Sequence, residues 1–145
     1  MNTRTVRAET LFVSSDRVLL VHRSIDEHGW DIPGVVVGDG ESPAVAASRE
    51  LGDDLGLDLF VRRLLVVDWA SVGTHDEMLL IFDGGAVRDV EVRPALGRNG
   101  LDRWEWVPVD QLAGYLPDIS ARRLVRALKA RADCRTLYLE HGETT

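Results

Sequence analysis

The chain has 145 residues, 45% of them hydrophobic and 28% charged; this is the composition of one globular domain, spanning 1–145, with enough apolar material for a proper core. Its formal net charge of −7 excludes a general nucleic-acid binder, which needs basic surface to neutralise phosphates. The single cysteine, Cys134, excludes an internal disulfide and a cysteine-based zinc cluster and suits a reducing compartment.

Cys134 is expected as a buried or partly buried thiol. Residues 1–15 hold no apolar run long enough for a signal peptide, and nowhere do roughly eighteen apolar residues follow one another, so no membrane span is expected and the expected setting is the cytosol. Neither an internal repeat nor a low-complexity linker marks off a second domain.

From the start of the chain, Thr5–Val13 and Arg17–Arg23 are Val- and Leu-rich runs around a Ser14-Ser15-Asp16 turn, which predicts a β-hairpin. His22 and His28 have no partner at ligand spacing and are expected to be structural or exposed. Trp30 to Val37 predicts a strand interrupted at Pro33-Gly34, and Gly38-Asp39-Gly40 a turn that delivers Glu41 to the entrance of a helix.

That helix is the best-defined element in the sequence. Ser42 can accept a hydrogen bond from a free backbone N–H and Pro43 fits the first helical position, while Gly56 can take the left-handed conformation that ends a helix at about Leu55. At roughly 100° per residue, Ala44, Ala47, Ser48, Leu51 and Leu55 fall on one side as core, with Glu50, Asp53 and Asp54 on the other. Acids near a helix C-terminus oppose the macrodipole by ~0.3–1 kcal/mol each, and Gly52 costs about 1 kcal/mol against Ala. A solvated acidic face is the bland reading. A cluster that costs stability in several ways at once points instead to a hard divalent cation with oxygen ligands.

The stretch from Trp30 to Leu57 resembles the Nudix hydrolase family. Glu41, seven residues later Arg49-Glu50-Leu51-Gly52-Asp53-Asp54-Leu55-Gly56-Leu57, and the approach WDIPG at Trp30–Gly34 follow that family's box over residues 35–57. Two positions depart from it: Val35 stands for the opening Gly, and Asp53-Asp54 for a Glu-Glu pair. Val35 does not readily take the positive φ open to Gly, so the loop before the helix is expected to run differently. Each Asp is one methylene shorter than Glu, so a cation must sit closer to the helix, take a bridging water or bind more weakly.

The resemblance implies an α/β fold, an α/β/α sandwich around a central mixed β-sheet. It implies a Nudix-type pyrophosphohydrolase that holds Mg²⁺, or Mn²⁺, through Glu50, Asp53 and Asp54, with Glu50 as first choice for ligand or base. Arg49 would orient a carboxylate or offset charge. Glu41 would pair with Arg49 or support the metal site, although a carboxylate there could equally interact with the helix N-terminus. Arg23, at a strand end, occupies a position where such proteins often carry a basic residue facing the substrate phosphates; a solvated arginine is the alternative.

Further along, LLVVDWA within Leu57–Val72 and MLLIF within Glu77–Asp83 predict a second strand pair around Gly73–Asp76, buried on both faces because the apolar runs are continuous. Trp69 is expected in the core. Ala86 to Arg93 is expected as another strand. Glu77, Glu91, Asp102 and Glu105 are the acids available outside the box for a further ligand. Asp102–Val107 predicts a strand, followed by a short helix capped by Asp110. A final helix over about Ser120–Ala132 would bury Ala121, Leu124, Val125 and Leu128 and present Arg122, Arg126 and Lys129 to solvent. Thr136–Glu140 can add a strand, with the last residues loose.

The implied reaction is metal-dependent cleavage of the diphosphate linkage in a nucleoside diphosphate joined to another group, on a small-molecule substrate without nucleic acid or membrane as partner; a homodimer is compatible with the sequence. Val35 and the Asp53-Asp54 pair favour a second reading, a Nudix-fold ligand-binding or regulatory domain with weak or lost hydrolysis.

Overall fold

A computed structural model describes residues 1–25 and 29–145, so His28 lies outside the described residues. The first two apolar runs form β1 (Thr3–Ser14) and β2 (Arg17–Arg23), turned at Ser15 with φ 56°. Next come β3 (Trp30–Asp31) and β4 (Gly34–Val36), broken apart at Pro33 as the sequence indicates, then helix α1 (Pro43–Leu55). The second strand pair is β5 (Leu64–Val72) and β6 (His75–Gly85), and β7 (Leu101–Pro108) covers the DRWEWV run. Helix α2 (Asp118–Ala132) and the short strands β8 (Leu137–Glu140) and β9 (Glu143–Thr144) complete the chain.

β1 is the strand shared by the two parts of the mixed sheet. It runs parallel to β6 along nearly its whole length, from Thr3↔His75 to Phe12↔Gly85. On its other side it pairs antiparallel with β4 over Arg7–Glu9 and then, at Val13 and Ser14, with β2. β2 carries β3 and β7, both antiparallel, while β5 lies between β6 and a parallel β8.

The period-two alternation of strand side chains sorts the core into two layers. Ala8 and Phe12 of β1 pack with Ala47, Leu51 and Leu55 of α1. Leu11 of β1 and Leu79 and Ile81 of β6 pack with Leu124, Ala127 and Ala130 of α2. A helix on each face of a mixed sheet is the expected sandwich; both layers are mainly apolar, with Glu9, Glu50, Asp54, Asp68 and Arg123 among the buried charged residues.

Several expectations are corrected by long-range contacts. Residues 86–93 form no strand: Gly85 at φ 75° ends β6, Asp89–Glu91 tightens into a 3₁₀ turn, and the Arg93 N–H donates to the Leu55 carbonyl at 2.8 Å. Asp110 caps no α-helix. The segment Val109–Gly114 is 3₁₀ and has Pro108, without a side-chain acceptor, at the cap position. The buried face of α2 is Arg123, Leu124, Ala127 and Ala130, with Val125 exposed, because Arg123 turns inward to a fully buried Asp68 at 2.5 Å. Trp69 is half-buried, edge-on to His141 at 5.9 Å.

Cys134 is exposed. It follows the end of α2 in the left-handed conformation, φ 54°, which carries its side chain away from the core. The tail is tied down: Glu143 and Thr144 pair with β8, and the Gly142 N–H donates to Asp68 Oδ1 at 3.0 Å. No helix among the described residues is long and apolar enough to cross a membrane.

Candidate active site

Helix α1 begins and ends where the local chemistry dictates. Ser42 Oγ accepts from the Val45 N–H at 3.2 Å. At the other end Gly56 takes φ 66° and its N–H returns to the Gly52 carbonyl. Ser48 Oγ donates to the Ala44 carbonyl at 2.7 Å and accepts from the Val61 N–H at 3.0 Å, which fixes the chain leaving the helix. The loop before β7 seals the last turn, with Arg93 N–H on the Leu55 carbonyl and Ala95 N–H on the Asp54 carbonyl, both at 2.8 Å.

The acids of the helix do not share one environment. Glu50 and Asp54 are only 3% and 2% exposed, whereas the Asp53 side chain is 42% exposed. The wheel placed all three on the side away from the core; Arg23, reaching from the end of β2, meets two of them there and buries them. Its Nη2 donates to Asp54 Oδ2 at 2.7 Å and lies 3.7 Å from Glu50 Oε2. Arg98 approaches from the loop, with Nε 3.3 Å from Asp54 Oδ1 and Nη2 3.4 Å from Asp53 Oδ2. Arg23, Arg49, Glu50, Asp53 and Asp54 all line one cleft of about 280 Å³.

Two carboxylate oxygens in this cleft, Glu50 Oε2 and Asp54 Oδ1, are buried without a hydrogen-bond partner. Leaving a buried acceptor unmet costs about 1–3 kcal/mol, more when it is charged. Burial, followed by repulsion from Asp54, raises the Glu50 carboxyl to about 7 even though Arg23 opposes the rise. Unmet hard oxygen donors of this kind fit a divalent cation. Among the described residues no three His, Cys, Asp or Glu side chains already converge as a complete metal cluster, so waters and substrate oxygens would fill the remaining positions.

Glu41 and Arg49 form a separate unit beside the cleft. Arg49 donates from Nε and Nη2 to the two Glu41 oxygens at 2.8 and 3.0 Å, and this bidentate pair holds the Glu41 carboxyl below its usual range. Glu41 also accepts from the Gly38 N–H at 3.3 Å, so it braces the turn before the helix. Val35 lies in β4 opposite Ala8 in regular pairing; the chain needs no positive φ there.

None of the four acids outside the box lines the cleft. Asp102 accepts a short 2.6 Å bond from His22 Nδ1, which lowers its carboxyl pKa. Glu91 pairs with Arg88 and Glu105 accepts from the Tyr115 hydroxyl. Glu77 faces a second cavity of about 410 Å³, lined also by Arg7, Trp30, Asp31, His75 and Arg123.

Arg7, Glu9 and Arg98 are site residues that the sequence reading missed. Arg98 carries no signal in its loop. Arg7 and Glu9 do carry one: two charges at i, i+2 in an apolar strand share a face, and both point to the α2 side of β1 with Leu11. Glu9 is 2% exposed and accepts from Arg7 Nε at 3.0 Å; burial and then the nearby Asp31 hold its carboxyl well above the usual range.

A family model described as NUDIX domain matches residues 1–128. No curated protein matches the chain. Among solved structures, a MutT protein from Methanosarcina mazei Go1 is 20% identical, with 93% of this chain and 98% of that one covered, at a TM-score of 0.71. A UDP-X diphosphatase is 18% identical over 96% of this chain and 68% of its own, at 0.73. An ADP-ribose pyrophosphatase from Streptococcus suis 89-1591 is 16% identical over 94% and 98%, at 0.63. At these identities the likeness is one of fold.

Proposed function

This chain belongs to the Nudix family, and from that premise we propose that it is a Nudix-type pyrophosphohydrolase that cleaves, with a divalent metal, the diphosphate linkage of a nucleoside diphosphate joined to another group. The observation that carries the metal dependence is the pair of buried, unpartnered oxygens on Glu50 and Asp54. The names of the fold relatives, a UDP-X diphosphatase and an ADP-ribose pyrophosphatase, support the substrate class by analogy. A net charge of −7 supports a small molecule rather than a nucleic acid as substrate, and the exposed Cys134 is in keeping with a reducing, cytosolic setting.

Glu50 and Asp54, with the more exposed Asp53 next to Asp54 in the chain, would hold Mg²⁺ or Mn²⁺. Bound there, the ion would neutralise diphosphate oxygens and acidify a coordinated water. Arg23, bonded to Asp54, would exchange that contact for a substrate phosphate, because its fork matches phosphate as well as carboxylate. Water adds to one phosphorus, the bridging P–O bond breaks, and a carboxylate takes the proton the water loses, with Glu50 the first choice for either ligand or base. Arg49 and Glu41 hold the helix entrance in place, and Arg49 lies 3.9 Å from Asp53.

A second reading, a Nudix-fold ligand-binding domain with weak hydrolysis, is favoured by one observation: Arg23 and Arg98 already bring positive charge to the acids. The deciding experiment is product release from a panel of nucleotide sugars, dinucleotides, ADP-ribose and nucleoside triphosphates with Mg²⁺ or Mn²⁺. Turnover abolished by chelator and by Glu50→Gln is expected. Turnover that survives both would sink the metal mechanism, and ligand binding without turnover would establish the second reading.

A further inference from the structure

Arg7 is the residue that lines both cavities, the acid cleft of about 280 Å³ and the larger cavity of about 410 Å³. It stands on β1 where β4 crosses beside it, with Arg7 opposite Val36 and Glu9 opposite Gly34. We infer that Arg7 is a substrate-binding residue whose guanidinium holds the phosphate bearing the attached group, at the junction of the two cavities. The inference rests on the diphosphatase reading and adds to it the residue that sets which way the substrate lies.

The guanidinium is anchored by one edge only. Nε donates to Glu9 Oε2 at 3.0 Å, and among the described residues neither terminal nitrogen has a hydrogen-bond partner. Glu9 is a rigid anchor, because Gly34 packs directly over it: a Cβ at that glycine would come within 2.7 Å of Glu9 Cγ. The Arg7 side chain is 23% exposed, enough for its free edge to meet a ligand and too little for a solvated surface charge.

An arginine that served only to pair Glu9 would use its fork for bidentate contact, as Arg49 does with Glu41. Arg7 instead presents the donors that match phosphate oxygens. Asp31 and Glu77, which also line the larger cavity, make that cavity unfavourable for further phosphate. On the cleft side the acids Glu50, Asp53 and Asp54 would be met by the bound cation, so an anion drawn to Arg7 is held there and the attached group is left to the larger cavity.

The test uses the full chain as wild type, Arg7→Gln, Arg7→Lys and Glu9→Gln. Steady-state kinetics on ADP-ribose and UDP-glucose are run alongside titration with Mn²⁺ alone. Loss of a charge-assisted contact predicts a KM raised about ten- to a hundredfold in Arg7→Gln. Its kcat should stay within about threefold of wild type and its Mn²⁺ affinity should not weaken, since Arg7 lines the cleft as a cation. Arg7→Lys keeps the charge and loses the fork, so it should recover part of the KM without a change in melting temperature. Glu9→Gln should raise KM by less than Arg7→Gln does. A KM unchanged in Arg7→Gln, or losses of kcat, Mn²⁺ affinity and melting temperature together in both Arg7 variants, would overturn the inference. Wild type inactive on the whole panel sinks the parent reading and this one together; an active wild type with an indifferent Arg7→Gln sinks this one alone.

Discussion

Replacing Glu50 by Gln is expected to stabilise the metal-free protein in mild alkali and to leave its stability unchanged in acid. The carboxyl stands at about 7 in the fold against an ordinary 4.5, so between these values the folded state binds more protons than the unfolded one. Stability is then fullest below the unfolded value and falls as pH rises through the window. At about 1.4 kcal/mol per pH unit, the gap amounts to about 3 kcal/mol lost by the time Glu50 is fully ionised. Gln resembles the protonated acid in shape and never ionises. With about 3 °C per kcal/mol for a domain of this size, Glu50→Gln should melt about 10 °C higher than wild type at about pH 8 and level with it at about pH 4. Circular dichroism melts with EDTA at several pH values would read this. Glu9, raised in the same direction, is present in both proteins and cancels. An offset equal at both extremes, or a destabilised variant in alkali, would refute the argument from burial. Adding Mg²⁺ should raise the wild-type melting temperature in alkali and leave that of the variant nearly unmoved.

Two further outcomes follow from the ion pairs. Arg98→Ala removes contacts at 3.3 and 3.4 Å from a half-exposed side chain, so folding stability should change by less than about 1 kcal/mol. Mn²⁺ affinity, measured by calorimetric titration, should tighten several-fold as a competing cation disappears, and weaker binding would count against that competition. Arg123→Met leaves the fully buried Asp68, among the described residues, with the Gly142 N–H alone and should cost about 3–5 kcal/mol in urea unfolding; a loss under about 1 kcal/mol would refute the view that Arg123 offsets a buried charge.

Local signals carried α1 and most strands. Ser42, Pro43 and Gly56 act within a turn of themselves, so both ends of the helix could be placed from sequence. The burial of Glu50 and Asp54 could not be, because it depends on Arg23, which arrives from 27 and 31 residues earlier in the chain. A wheel records which side of a helix a residue is on and carries no information about what covers that side. The same limit explains α2: Val125 fits the apolar face of the isolated helix, and Arg123 fits the folded one only because Asp68 waits in β5. Residues 86–93 have the composition of a strand, yet the unmet carbonyls at the end of α1 claim their backbone. Arg7 and Glu9 were legible in principle, as charges alternating inside an apolar strand, whereas Arg98 owes its position entirely to a loop.

The loop that seals α1 also determines where the chain can be lengthened. Arg93 and Ala95 are stitched to the carbonyls of Leu55 and Asp54, so an insertion between them would unzip the end of the helix and shift the acids. One or two residues later the hold on the helix gives way to the loop's own turn: Leu96 is exposed, Gly97 takes φ 94°, and the Gly97 and Arg98 N–H groups donate to the Leu101 and Ala95 carbonyls. Lineages diverging from this chain, or an engineer grafting a new recognition segment, can add length at 96–97 and change what hangs over the cleft while the carboxylates stay in register.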